Sequence, residues 1–155
     1  MATKRGLFFL FYLLLVGTMA QAQVPGNQPA TTATRKMKML IHITCGPDNP
    51  TKAALAFLVA RTALGEGHSV SLFLAGDAVT LLSDAEMGKV VGLGTGNLRE
   101  HYEAIVKAGG RFYLSGMSSK ARGITDADLS GKPAEFAMPA VLVKLAADSE
   151  RMFTY

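Results

Sequence analysis

Short apolar runs, each closed by glycine or proline, set the frame of this chain. Residues 39–44 (Met-Leu-Ile-His-Ile-Thr) are nearly continuous in apolar side chains and end at Gly46-Pro47, the pattern of a buried parallel strand. Ser69–Leu74 and Arg111–Ser115 predict a second and a third strand. Between the first two, Asp48-Asn49-Pro50 predicts a helix start: Asp48 or Asn49 can accept from the free N–H groups, and Pro50 suits the first helical position. Ala53, Leu55, Leu58, Val59 and Thr62 are expected on its inward face, and Gly65-Glu66-Gly67 is expected to stop it. After Gly76-Asp77 comes a helical stretch with Val79, Leu81 and Leu82 apolar, then a glycine-rich loop over 92–97. Leu98, Tyr102 and Ile105 share one face of a further helix that Gly109-Gly110 ends. Residues 126–130 predict a short helical turn, Pro139 opens a last helix through Ala147, and 152–155 predict a final strand. Strands that alternate with helices predict an α/β fold: a three-layer α/β/α arrangement around a mainly parallel sheet of four to five strands.

Ahead of residue 37 the pattern changes. Lys4 and Arg5 precede a run over 7–16 made of Leu, Phe, Tyr and Val. That run falls short of the roughly 20 residues a bilayer-spanning helix needs. Ala20-Gln21-Ala22 then places small residues where a signal peptidase reads. Residues 1–22 therefore read as a cleaved signal peptide that leaves no stable membrane anchor, with Gln23 as the mature start. Residues 23–36, rich in Gln, Pro, Asn, Thr and Ala, read as a disordered linker, and 37–155 as one domain. The formal charge of +4 shrinks in the mature chain: two of the 16 basic side chains lie in the leader, which leaves 14 against 12 acidic ones. With no basic stripe interleaved with aromatics, a nucleic-acid partner is not expected.

In an open parallel sheet, ligands bind outside the carboxyl ends of the strands. Three loops leave such ends and hold Cys45, Asn49, Asp77, Ser115, Ser118, Ser119 and Arg122. Ser115, Ser118, Ser119, Lys120 and Arg122 together could cradle an anion through hydroxyls, backbone N–H groups and fixed positive charge; the plainer reading is a serine-capped helix with solvated cations. Cys45 is the single cysteine, so no intramolecular disulfide forms; it is a buried structural thiol, a reactive one, or a link between chains. No dinucleotide fingerprint, Walker loop or nucleophile elbow is present, and no cofactor is expected. His42, His68 and His101 lack metal-ligand spacing, so no metal site is expected; they read as a hydrogen-bonded mid-strand residue, a turn residue and an exposed helix residue.

The segments 46–57 (GPDNPTKAALAF), 67–77 (GHSVSLFLAGD) and 115–124 (SGMSSKARGI) together resemble the DsrE/DsrF-like family, with the likeness running from Met37 to the last residue. The resemblance implies a DsrE/F-like α/β/α domain that assembles into homo- or hetero-oligomers, often trimers or hexamers, with a homo-oligomer expected here, and a periplasmic or secreted location. It also implies a sulfur-relay-like role in which a cysteine at the end of the strand before the Lys-Ala-Arg-Gly segment carries persulfide sulfur. Here that position is Ser115, whose hydroxyl cannot hold sulfane sulfur. The expectation is a protein that binds a small anionic or sulfur-containing ligand. The alternatives are a sulfur carrier through Cys45, or a non-catalytic assembly module.

Overall fold

The computed structural model describes residues 35–155. The proposed signal peptide and all but the last two residues of the proposed linker lie outside the described residues.

Among the described residues, seven strands and six α-helices follow in chain order: β1 (Lys38–Ile43), α1 (Pro50–Gly65), β2 (Ser69–Leu74), a 3-10 helix (Gly76–Leu82), α2 (Asp84–Met87), β3 (Val91–Gly92), β4 (Gly96–Asn97), α3 (Leu98–Lys107), β5 (Arg111–Ser115), α4 (Gly116–Ala121), α5 (Asp126–Leu129), β6 (Ala134–Ala137), α6 (Pro139–Asp148) and β7 (Arg151–Thr154). Five strands form one parallel sheet in the order β6-β5-β2-β1-β7, while β3 and β4 make a small antiparallel hairpin. Helices lie on both sides of the sheet, as the alternation of elements predicts.

The strand order explains which helices lie where. From β1 through β2 and β5 to β6 the chain steps steadily in one direction. Right-handed crossovers then keep the connecting helices on one face. From β6 the chain returns across the whole sheet to β7 beside β1, which puts α6 on the opposite face. The two faces are unequally covered. Met39, Ile41 and Ile43 of β1 join Val70, Leu72 and Leu74 of β2, Phe57 of α1 and Ile105 of α3 in the large core. The alternate residues Leu40 and Phe73 meet Val141, Leu142 and Leu145 of α6 in a much smaller cluster. No residue of α6 is buried.

The inward face expected of α1 is corrected. Its buried positions are Ala53, Ala54, Ala56, Phe57, Ala60 and Ala63, whereas Leu55, Leu58 and Val59 are half-buried and Thr62 is exposed. The small side chains allow close approach: a Cβ on Gly92 of the hairpin would lie 3.0 Å from both the Ala54 Cβ and the Thr51 Cα. The start of α1 is as expected, with Asn49 as the cap, its Oδ1 accepting from the Lys52 amide at 3.2 Å, and Pro50 in the first turn.

The histidines also differ from expectation. His101 is buried: its Nε2 lies 2.7 Å from the Thr95 carbonyl and its Nδ1 3.4 Å from Arg61 Nη1. That pairing makes Nε2 the donor to the carbonyl and Nδ1 the acceptor from Arg61. His42 packs edge-on against Phe73, and its buried Nε2 has no hydrogen-bond partner among the described residues.

Candidate functional site

The three loops at the carboxyl edge of the sheet are in contact. Gly46, just after β1, packs against Asp77 so closely that an added Cβ would stand 2.6 Å from the Asp77 Cβ. The Gly76 amide, after β2, donates to Ser118 Oγ in α4 at 3.0 Å. The Ser118 amide in turn donates to Ser115 Oγ at 3.4 Å, so Ser115 is the cap of α4. Arg122 closes the set: its Nε and Nη2 donate to Asp77 Oδ1 at 2.8 and 2.7 Å, and its Nη1 lies 3.4 Å from the Ser118 carbonyl. The loops after β1, β2 and β5 thus form one connected rim.

That rim is not one pocket ringed by all seven candidates. Arg122 spends its donors on Asp77 and Ser118, so its charge is largely matched within the protein. Asn49 uses its side-chain oxygen to cap α1. Ser118 and Ser119 are adjacent in sequence but point differently, as neighbours on a helix must. Ser118 faces the β2 loop, whereas Ser119 is only 1 % exposed and its Oγ has no hydrogen-bond partner. Ser119 and Gly116 border a cavity of about 460 Å³ shared with Lys120, Gly123, Ile124, Thr125, Asp126 and Phe136.

Sheet topology explains why a cavity lies here. After β5 the chain turns onto the α1 face, where Ile124 and Leu129 join the large core. After β6 it turns onto the other face to form α6. Neighbouring strands whose following segments part to opposite faces leave a crevice at their carboxyl ends. That switch point falls between β5 and β6, beside Ser115, which pairs with Ala137. The cation bordering the cavity is Lys120, which has no ion pair among the described residues, and Asp126 supplies a nearby negative charge. Sequence reasoning passed over Phe136 and Ile124, the apolar lining; the strand that carries Phe136 was not expected at all.

Cys45 follows β1, and β2 separates β1 from β5. Two strand spacings of about 4.8 Å therefore lie between the Cys45 and Ser115 strands. The thiol is half-buried against the large core. Burial pushes its pKa up, the positive charge of Lys52 opposing this in part. Burial thus works against the thiolate.

Comparison with known proteins places this geometry. No curated protein matches the chain. Among solved structures, the ychN protein from E. coli superimposes with a TM-score of 0.62 at 19% identity, over 77% of this chain and 99% of that one. A conserved protein of unknown function, BT1422 from Bacteroides thetaiotaomicron, superimposes with a TM-score of 0.56 at 13% identity, over 76% of this chain and 94% of its own. At these identities the likeness is one of fold. The family model described as the DsrE/DsrF-like family matches residues 37–155, the whole of the globular domain, and this chain belongs to that family.

Proposed function

We propose that this protein is exported, assembles into a homo-oligomer, and holds a small anionic or sulfur-containing ligand without covalent attachment beside the end of β5. Ser115 stands there, at the position to which the family resemblance assigns a sulfur-carrying cysteine. The supporting observation is the cavity at the β5–β6 switch point, where Lys120 offers a cation and Ile124 and Phe136 an apolar wall. Such a lining suits a ligand with one charged end and a soft, polarisable body, while Asp126 limits the negative charge it tolerates. The raised pKa of Cys45 favours this reading over a carrier role for that thiol.

Thiosulfate tests it, because it is both an anion and a sulfane-sulfur donor. Titration should move the amide resonances of residues 116–126 in a saturable way, and Lys120→Ala should weaken the effect. Intact-mass measurement after the incubation should show no sulfur adduct. The carrier alternative requires the Cys45 thiolate to take the outer sulfur and release sulfite. An adduct that disappears in Cys45→Ser would establish it and overturn the non-covalent reading.

Assembly is supported by α6. Eight of its ten residues, PAVLVKLAAD, are apolar, yet none is buried. A helix apolar nearly all round is ordinarily covered on more than one side. Val143 is 69 % exposed, and Met138, just ahead of the helix, 61 %. We place the contact between copies on this face.

A further inference from the structure

We propose a second site at the opposite, amino edge of the sheet, for a small tetrahedral oxyanion of the phosphate type. A cleft of about 390 Å³ lies there, and the parallel register determines what faces it. Lys38 of β1 pairs with Ser69 of β2, and Ser71 of β2 pairs with Arg111 of β5. Paired residues on neighbouring strands point to the same face, and residues two apart do so as well. Two hydroxyls on the central strand β2 are therefore flanked by a lysine on its neighbour β1 and an arginine on its neighbour β5. All four border the cleft, as does Lys36.

The partners of these groups point to a ligand. Among the described residues, Lys36, Lys38 and Arg111 make no ion pair, and the Ser69 and Ser71 hydroxyls make no hydrogen bond. Three cations thus border the cleft against a single carboxylate, Asp148, and that carboxylate is already held by Lys144 at 2.5 Å. His68, the other ionisable group there, is buried and takes the Met37 amide on its Nδ1 at 3.3 Å. A fixed guanidinium, an ammonium and two hydroxyl donors match the four acceptor oxygens of a tetrahedral anion.

One opposing reading needs only the protein. The carbonyl end of α6 and Asp148 both meet the cleft, and cations commonly offset a helix C-terminus. On that reading Lys38 serves the helix, and nothing binds. The two readings part in one experiment. The purified protein, as the cell processes it, is titrated with inorganic phosphate and followed by amide chemical shifts, with chloride at equal ionic strength as control. The site predicts saturable, phosphate-specific shifts at residues 69–71 and 111, unaffected by Lys120→Ala at the other edge. Arg111→Gln and Lys38→Gln should each weaken binding by about tenfold or more, the loss expected for one charge-assisted hydrogen bond. Both side chains are exposed, so the variants should keep their fold, which a thermal melt checks. Shifts that chloride reproduces, or that Arg111→Gln leaves unchanged, would overturn the proposal. So would a Lys38→Gln variant that loses stability while binding phosphate as before.

Discussion

Gly46→Ala is the sharpest test of how the rim is built. Gly46 is buried, and its φ lies outside the left-handed region, so alanine brings no backbone strain. The cost is steric. The new methyl would stand 2.6 Å from the Asp77 Cβ, 3.1 Å from the Asp77 carbonyl oxygen and 3.2 Å from Asp48 Oδ1. Two of those atoms belong to the backbone or are attached directly to it, so the β2 loop itself must retreat. Overpacking of this kind costs about 1–3 kcal/mol. The retreat also carries Asp77 away from Arg122. With their side chains 63% and 31% exposed, that pair adds about 0–1 kcal/mol. We expect a total loss of about 1–4 kcal/mol, measured by urea denaturation. At roughly 3–5 °C per kcal/mol for a domain of this length, the thermal midpoint should fall visibly. The sharper readout is coupling. Arg122→Ala should cost up to about 1 kcal/mol in the parent and close to nothing in the Gly46→Ala background, because the pair is already broken there. If Gly46→Ala stays within about 0.5 kcal/mol of the parent, and Arg122→Ala costs the same in both, the loops after β1 and β2 are not in contact and the connected rim is wrong.

Ser119→Ala removes a buried hydroxyl that has no partner, so it should leave stability unchanged or raise it by about 1 kcal/mol in chemical denaturation. Burial lowers the pKa of His42, so between that lowered value and the ordinary imidazole pKa of about 6.5 the unfolded chain binds more protons. Stability should therefore fall as the pH drops below about 6.5, and His42→Phe should flatten that part of the curve in urea midpoints taken across pH. Val143→Lys on α6 should shift the mass from light scattering toward the monomer; a parent that is already monomeric at micromolar concentration refutes the assembly. The exported protein should begin at Gln23 in N-terminal sequencing, and a chain still starting at Met1 would refute cleavage.

What the sequence carried and what it hid divide along physical lines. β2 and β5 were readable to the residue, and β1 to within one, because short, largely apolar segments bounded by glycine or proline leave few alternatives. β6 was missed: Ala134-Glu135-Phe136-Ala137 holds one large apolar side chain, and it is a strand because β5 offers it an edge. In α1 the rule that large apolar residues face inward failed because apolar residues surround the helix on every side. Packing beneath the hairpin and beside α3 then favours alanine at the closest contacts. His101 reads as a surface residue only until the hairpin carbonyl of Thr95 is placed over it.

Arg122 marks a different limit. Its type and position invited the role of anion-binding cation, yet its partner Asp77 lies 45 residues earlier and meets it only because β2 and β5 are neighbours. No local pattern reports such a meeting. Lys120, the cation of this loop without an ion pair among the described residues, is two residues away in sequence, and the helical turn between them decides which one borders the cavity. The chemistry of this loop is thus set by helical phase: Ser118 and Arg122, four apart, turn toward the β2 loop and hold the rim together. Ser119 and Lys120 turn toward β6 and border the cavity there. A motif match over this segment fixes the residue types together. Their division into one rim-holding pair and one cavity-lining pair follows only from the helix that Ser115 caps.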